Sequence, residues 1–161
     1  MRLRLFLLIS ALALFFDQLT KFLVQRVIMP YQIHPIIGDF LRITLVYNPG
    51  GIFGMRIFSD VSYYLMPLIG IVIVILLAIR SKTFFYLTAY GLILGGAIGN
   101  LWDRFRMGKV VDFIDIGIKN LRWYTFNLAD AYIVVGIIML LVAEILRPKP
   151  ETTEKTASPL K

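Results

Sequence analysis

Cysteine is absent from this sequence of 161 residues, and histidine occurs once, as His34. The lack of cysteine excludes disulfide bonds, thiol nucleophiles and thiolate metal sites. A zinc site with three histidine ligands is also excluded, and a Ser-His-Asp triad would have to use His34. A Ser-Lys dyad has little support, because no lysine lies close in sequence to Ser59 or Ser62. A phosphate-binding glycine loop is missing too, so we expect no metal ion and no cofactor.

Charged residues are also scarce, at 17% of the chain, whereas 58% of the residues are hydrophobic and the mean hydropathy is +0.78. This composition is too apolar for an ordinary soluble domain. A stretch of ~20 apolar residues crosses the ~30 Å hydrocarbon core of a bilayer. Four runs are long enough, at about residues 3–24, 61–79, 83–101 and 126–146. The sequence predicts one integral membrane domain over residues 1–147, an all-α bundle of four transmembrane helices.

The first apolar run could instead be a removable signal peptide, because Ala11-Leu12-Ala13 resembles a cleavage site. The run continues through Phe16 and then reaches a polar segment that a discarded peptide would not need. A retained first helix is therefore the preferred interpretation. In the third run, glycines recur every fourth residue and are expected to let another helix approach closely, at Gly91, Gly95 and Gly99.

The excess of basic residues indicates a membrane surface as the partner. The formal net charge is +7 and the pI is about 9.8. The basic residues lie at the ends of the apolar runs, without the aromatic-interleaved patch of a nucleic-acid site, so no nucleic acid is expected. Membrane phospholipids are the expected counter-charge. Arg104, Arg106 and Lys109 either balance nearby acids, which is the preferred interpretation, or hold lipid headgroups.

The placement of the basic residues also predicts the orientation. Eight of the seventeen are packed into both termini and the turn at residues 80–82. Of the other nine, Lys21 lies near the outer end of the first apolar run, and the rest are spread over two long loops, at about residues 25–60 and 102–125. Because short cytoplasmic flanks concentrate Lys and Arg, both termini are expected in the cytoplasm and the loops outside. Residues 148–161 are rich in Pro, Thr, Glu and Lys and are expected to form a disordered cytoplasmic tail.

The first long loop contains an alternating segment, Leu41-Arg42-Ile43-Thr44-Leu45, which predicts a short strand. Residues 118–126 could supply a partner strand or an aromatic belt at the membrane interface, and the pattern does not decide between them. A small extracytoplasmic sheet is therefore expected beside the four helices.

The aspartates carry the chemical signal, since all seven fall on the predicted outer side: Asp17, Asp39, Asp60, Asp103, Asp112, Asp115 and Asp130. An unpaired aspartate at a bilayer centre costs ~2.5–3.5 kcal/mol, so acids near the membrane usually have a partner or a task. Asp17 and Lys21 are four residues apart and form either a structural ion pair or a group facing substrate. For Asn100, Asp103 and Arg104, scaffold support is the simpler interpretation.

Asp112 and Asp130 differ from the other acids because both have apolar neighbours on each side, and no cation lies at helical spacing from Asp130. Two carboxylates brought together in such surroundings cannot both ionise easily, so one keeps a proton while the other acts as a base. An aspartic peptidase needs this arrangement to activate a water and polarise the scissile carbonyl. The rival class, a small membrane transporter, predicts acids near the bilayer midplane instead.

Five segments in order resemble the lipoprotein signal peptidases. They are Asp17-Gln18-Leu19-Thr20-Lys21, Asn48 to Gly54, Gly95 to Arg104, Val110 to Ile114, and Phe126-Asn127-Leu128-Ala129-Asp130. The likeness covers nearly the whole chain. It departs at Gly51 and Ile52, where the family usually has alanines, which leaves the fine shape of the pocket edge open.

The resemblance implies four transmembrane helices, an outer β-cradle and a mobile outer segment over the site. It implies cleavage of diacylglyceryl-modified bacterial prolipoproteins before the lipidated cysteine, in the bacterial cytoplasmic (inner) membrane, near its outer face. A monomer is expected. Asp112 and Asp130 would be catalytic. The supporting or substrate-contacting positions would be Asp17, Lys21, Asn48, Gly50, Asn100, Asp103, Arg104 and Asn127.

Overall fold

The computed structural model describes residues 2–50, 61–81 and 83–146. Its helices are α1 (Arg2–Val27), α2 (Ser62–Arg80), α3 (Phe84–Met107) and α4 (Leu128–Ile145). Its strands are β1 (Ile33–Ile37), β2 (Leu41–Asn48), β3 (Val110–Ile118) and β4 (Leu121–Arg122). All four helices are long and apolar enough to cross a membrane. The predicted bundle of four apolar helices with a small sheet is confirmed, while the predicted tail, 148–161, lies outside the described residues.

Helix α3 is the centre of the bundle and packs against the other three helices. Its glycines make the close approach possible: a Cβ at Gly95 would lie 2.6 Å from the Cβ of Ala13 on α1. A Cβ at Gly96 would collide with the carbonyl oxygen of Ala129 on α4. The glycine spacing in the sequence therefore did indicate helix contact, and α1 and α4 pack on adjoining faces of α3.

The outward faces of α1, α2 and α4 are apolar, with exposed side chains such as Phe15, Leu76 and Leu141. Away from the sheet, the interior is closed by a cluster of apolar side chains: Phe6, Val74, Ala78, Leu87, Tyr90 and Leu94. Apolar surface on the outside of a bundle is what a lipid environment requires.

The four strands form one antiparallel sheet in the order β1-β2-β3-β4. In the central pair, Asn48 lies opposite Val110 and Val46 lies opposite Asp112. The predicted strand at Leu41 is present and runs on to Asn48. The segment 118–126 contributes both a two-residue partner strand, β4, and an isolated bridge between Phe126 and Ile114.

One boundary and one strand differ from the sequence expectation. Helix α3 was expected to end near residue 101, but it continues to Met107 and ends at Gly108, whose φ of 66° stops the helix. Residues 102–107 are therefore helical and are not part of a loop. The hydropathy falls at Asp103 because the last turns carry charged side chains, and hydropathy reports the surroundings of a helix, not its backbone. Strand β3, which carries Asp112, was not predicted.

Candidate active site

Asp112 and Asp130 meet at the end of the bundle that carries the sheet. Asp112 lies on β3 and Asp130 in the first turn of α4. Both line one cavity of about 290 Å³. The other side chains of its wall come from the sheet, α2, α3 and the segment before α4: Asn48, Ser62, Tyr63, Met66, Pro67, Asn100, Arg104, Val110 and Tyr124. The two aspartates singled out from the sequence therefore share one wall.

The first turn of α4 is fixed by a reciprocal pair of bonds. Asn127 is the N-cap residue, and its Oδ1 accepts the backbone N–H of Asp130 at 3.0 Å. In return, Asp130 Oδ2 accepts the backbone N–H of Asn127 at 3.2 Å. This capping box satisfies two of the free N–H groups at the start of the helix. Asp130 is thus held in position by its own helix.

Three asparagines point their amide nitrogens at the two carboxylates. Asn127 Nδ2 donates to Asp112 Oδ1 at 2.7 Å, and Asn48 Nδ2 donates to Asp112 Oδ2 at 3.0 Å. Asn100 Nδ2 donates to Asp130 Oδ1 at 2.7 Å. Each oxygen of the pair thus receives one N–H, since Asp130 Oδ2 is bound by the backbone of Asn127.

The orientation of each amide is set by what its oxygen accepts. An amide that accepts with oxygen must present its NH₂ group on the other side. The three fixing bonds are each 3.0 Å long and run from Gly50 N to Asn48 Oδ1, from Lys21 Nζ to Asn100 Oδ1, and from Asp130 N to Asn127 Oδ1. The donors that face the carboxylates are therefore prearranged.

Lys21 is the centre of a buried network behind the cavity. The residue is 1% exposed, and its ammonium group contacts Asp17 Oδ2 at 2.9 Å, Asp103 Oδ2 at 2.8 Å and Asn100 Oδ1 at 3.0 Å. An ammonium group has three N–H donors, so these acceptors use all of them. The predicted ion pair between Asp17 and Lys21 is present, and it lies inside the protein.

The two acids bound to Lys21 also hold the elements that carry the pair. Asp17 Oδ1 accepts the backbone N–H of Ala129 at 2.9 Å, next to Asp130 on α4. Asp103 Oδ2 accepts the backbone N–H of Val111 at 3.2 Å, next to Asp112 on β3. Lys21 therefore ties together the neighbours of both aspartates.

The electrostatic surroundings separate Asp112 from the other acid on its strand. Burial, followed by the charge of Asp130, raises the pKa of Asp112 to about 7, against the lowering effect of its amide donors. Burial also acts to raise the pKa of Asp115, but hydrogen bonds from Arg122 and Arg42 outweigh it and bring that pKa below its ordinary value. Asp115 is thus a structural acid that joins strands, while Asp112 can hold a proton near neutral pH.

The remaining predicted residues divide between the cavity and its surroundings. Arg104 lines the cavity as a cation that interacts with both carboxylates. Gly50 has a φ of 132°, and a Cβ there would lie 3.1 Å from the ring of Tyr63. His34 lies on β1, outside the wall of the cavity. Gly51 and Ile52, where the sequence departs from the resemblance, lie outside the described residues.

One network member was missed as a functional residue in the sequence. Gln18 Nε2 lies within hydrogen-bond distance of Asp17 Oδ2 and Asp103 Oδ1, both at 3.1 Å, and so bridges α1 and α3. Its place beside Asp17 in the first motif was the available signal. Tyr63 and Met66 gave no such signal, because they belong to an apolar run.

A second cavity, of about 490 Å³, adjoins the first. Asp130 and Tyr124 line both. Its other walls are mostly apolar: Ile116, Trp123, Phe126, Ala131, Val134 and Val135. The paired carboxylates therefore lie between a polar cavity and an apolar one on the side of α4.

A bundle of membrane-spanning helices with paired carboxylates at one end is the arrangement expected of a membrane aspartic peptidase. Residues 9–146 match the family described as signal peptidase (SPase) II. A lipoprotein signal peptidase from Syntrophus aciditrophicus is 35% identical over 92% of this chain and 96% of its own length. One from Moorella thermoacetica is 40% identical over 84% of this chain and 89% of its own.

The structure agrees with the sequence comparison. A solved bacterial membrane enzyme superposes with a TM-score of 0.81 at 28% identity, covering 97% of this chain and 94% of its own. The chain belongs to the signal peptidase II family. It is a peptidase, and its four apolar helices fit a multi-pass membrane protein.

Proposed function

We propose that this peptidase removes the signal peptide from diacylglyceryl-modified prolipoproteins by cleaving before the lipidated cysteine, with Asp112 and Asp130 as the catalytic pair. The observation that carries the proposal is the shared cavity: two carboxylates line it, and the pKa of Asp112 is raised to about 7. Its relatives are lipoprotein signal peptidases, which supports prolipoproteins as the substrate class.

In the proposed reaction, Asp112 holds the proton and Asp130 is the base. The N-terminus of α4 favours a negative charge on Asp130, because free backbone N–H groups point towards the first turn. Asp130 takes a proton from a water, and the water oxygen bonds to the carbonyl carbon while Asp112 protonates the carbonyl oxygen. The intermediate then returns one proton to Asp112, the amine takes the other from Asp130, and the C–N bond breaks.

The other residues of the site have two kinds of role in this proposal. Arg104 and Asn48 line the cavity and would contact the substrate peptide, and so would Gly50, whose backbone N–H binds Asn48 Oδ1. The buried residues position the pair without touching the reacting atoms: Asp17, Lys21, Asn100, Asp103 and Asn127. Both aspartates of the pair come from the same chain, so the proposed reaction does not require a second copy.

The adjoining apolar cavity supports a lipidated substrate. It opens beside Asp130 and is lined by Trp123, Phe126 and Val134, among other apolar side chains. An acyl chain bound there would keep its hydrocarbon out of water while the cysteine backbone reaches the carboxylates. A peptide without the diacylglyceryl group would leave this cavity empty.

The concentration of basic residues in the short flanks supports an orientation with both termini in the cytoplasm. The catalytic cavity lies at the opposite end of the bundle from the turn at Ser81. This orientation places the cavity near the outer face of the bacterial cytoplasmic membrane, where the lipidated cysteine of an exported precursor is anchored.

The proposal is tested with purified protein and two synthetic prolipoprotein peptides that differ only in the diacylglyceryl group on the cysteine. Mass spectrometry identifies the bond that is cut. We expect cleavage before the modified cysteine and at least about tenfold lower kcat/KM for the unmodified peptide, as the loss of acyl burial predicts. Equal cleavage of both peptides would contradict the lipid requirement, and cleavage at another bond would contradict the proposed specificity.

A further inference from the structure

A polar cavity separate from the catalytic one lies between α1 and α3 and has a volume of about 220 Å³. We call it the arginine cleft, and it is lined by Gln18, Lys21, Phe22, Gln25, Arg26, Asp103 and Arg106. Neither Asp112 nor Asp130 belongs to it. Lys21 and Asp103 form its inner end, and they are the point where the cleft touches the network behind the active site.

The charges in the arginine cleft do not cancel. Lys21 contacts both Asp103 at 2.8 Å and Asp17 at 2.9 Å, so these three residues together carry one net negative charge at its inner end. Within the described ranges, Arg26 and Arg106 form no salt bridge, and both line the cleft. Arg26 lies over the ring of Phe22 at 5.0 Å, which leaves the N–H edge of its guanidinium free for another partner. The two guanidinium groups therefore outnumber the one negative charge left by the buried residues, and in the described part of the chain neither forms a salt bridge with it.

The lengths of the helices place the cleft at headgroup depth. At 1.5 Å per residue, α1 (26 residues) and α3 (24 residues) are roughly 39 and 36 Å long, longer than the ~30 Å hydrocarbon core. Arg26 and Arg106 lie in the last turn of each helix. Trp102 and Phe105 are exposed nearby on α3, as aromatic side chains at a membrane interface commonly are.

We propose that the arginine cleft binds the phosphate group of an anionic phospholipid. Two guanidinium groups match a phosphodiester in charge and in hydrogen-bond geometry. Gln25 donates its amide nitrogen to Lys21 O at 2.9 Å, so its amide oxygen remains as an acceptor for a headgroup hydroxyl. Phosphatidylglycerol has both features. The bound lipid would join the ends of α1 and α3 from outside, and this inference does not depend on the proposed peptidase substrate.

The probe is phosphatidylglycerol added to detergent-purified protein, with phosphatidylcholine of the same acyl chains as the reference and native mass spectrometry as the readout. We expect the wild type to retain phosphatidylglycerol preferentially. The Arg26→Gln/Arg106→Gln variant is expected to lose about tenfold in that affinity, the equivalent of one charge-assisted hydrogen bond. In a parallel thermal denaturation, phosphatidylglycerol is expected to raise the melting temperature of the wild type only.

The matched control is Arg2→Gln/Arg4→Gln, which removes the same charge at the other end of the bundle. This variant is expected to keep the preference for phosphatidylglycerol. An equal loss of phosphatidylglycerol affinity in both double variants would overturn the site, because the lipid would then respond only to the net charge of the protein. Displacement of the lipid by inorganic phosphate at low concentration would overturn the lipid assignment and indicate a free phosphate site instead.

Discussion

Asn127 Nδ2 lies 2.7 Å from Asp112 Oδ1 and donates a hydrogen bond to it. The same side chain caps α4 through its oxygen, so one residue both starts the helix of Asp130 and binds the other aspartate. The geometry of the pair therefore depends on a residue that need not touch the substrate. The first prediction separates these two tasks.

Asn127→Ser keeps a side-chain oxygen that can cap α4 but removes the donor to Asp112. We expect kcat to fall about 10- to 100-fold, the range for losing a hydrogen bond to a charged group, with KM little changed. In the wild type, the hydrogen bond from Asn127 lowers the pKa of Asp112. Without this bond the pKa should rise, and the alkaline limb of the pH–rate profile should move to higher pH. A profile that keeps its position while activity falls would contradict this positioning role.

Asp112→Asn tests the energetic cost of the buried acid. The folded-state pKa of Asp112 is about 7 and its ordinary value is 3.8, so the folded protein binds more protons than the unfolded chain between these values. Stability should therefore decrease as pH rises from about 4 to 7 and stay at its lower level above 7. The asparagine variant removes this dependence, and its melting temperature relative to the wild type should rise between pH 5 and pH 8.

The free energy of unfolding that the wild type loses between low and high pH is at most about 4 kcal/mol. This follows from ~1.4 kcal/mol per pKa unit over the shift from 3.8 to about 7. The control is Asp39→Asn, the same change on an exposed side chain. Parallel melting curves of the wild type and Asp112→Asn across this pH range would show that Asp112 is not a buried acid with a raised pKa.

Lys21→Met should be strongly destabilising. Removing one member of a buried ion network leaves Asp17 and Asp103 without their counter-charge, which costs about 3–5 kcal/mol. The melting temperature in detergent measures the loss, and Lys109→Met, which removes an exposed lysine, is the matched control. A Lys21 variant as stable as the Lys109 variant would mean that the network does not hold α1 and α3 together.

Gly95→Ala should force α1 and α3 apart. The added Cβ would lie 2.6 Å from both the Cβ of Ala13 and the carbonyl oxygen of Ser10. Overpacking of this kind costs about 1–3 kcal/mol. Gly70→Ala is the control, because nothing lies within 4 Å of the Cβ it adds. If the two alanine variants unfold at the same temperature, the close approach of the helices at Gly95 is not required.

The sequence could predict those features that depend on local composition. The four apolar runs predict the four helices, and the glycine spacing predicts the helix contact that Gly95 makes. Their apolar neighbours single out Asp112 and Asp130 among the acids, and in the structure both line one cavity. Their catalytic role stays a prediction.

Features that depend on distant contacts could not be predicted. Gln18 reaches Asp103, 85 residues away, and Asn127 reaches Asp112, 15 residues away on another element. Nothing near these residues in the sequence specifies such partners. Hydropathy also underestimates the length of α3, because the last turns of this helix carry charged residues.

The most direct test of the account is cleavage of a diacylglyceryl-modified prolipoprotein by purified wild type, Asp112→Asn, Asp130→Asn and the exposed control Asp39→Asn, each first shown to be folded in detergent. The account predicts that the wild type and the Asp39 variant cut before the modified cysteine, while both Asp112→Asn and Asp130→Asn lose measurable turnover. Near-normal turnover in either of those two folded variants would contradict the aspartate pair.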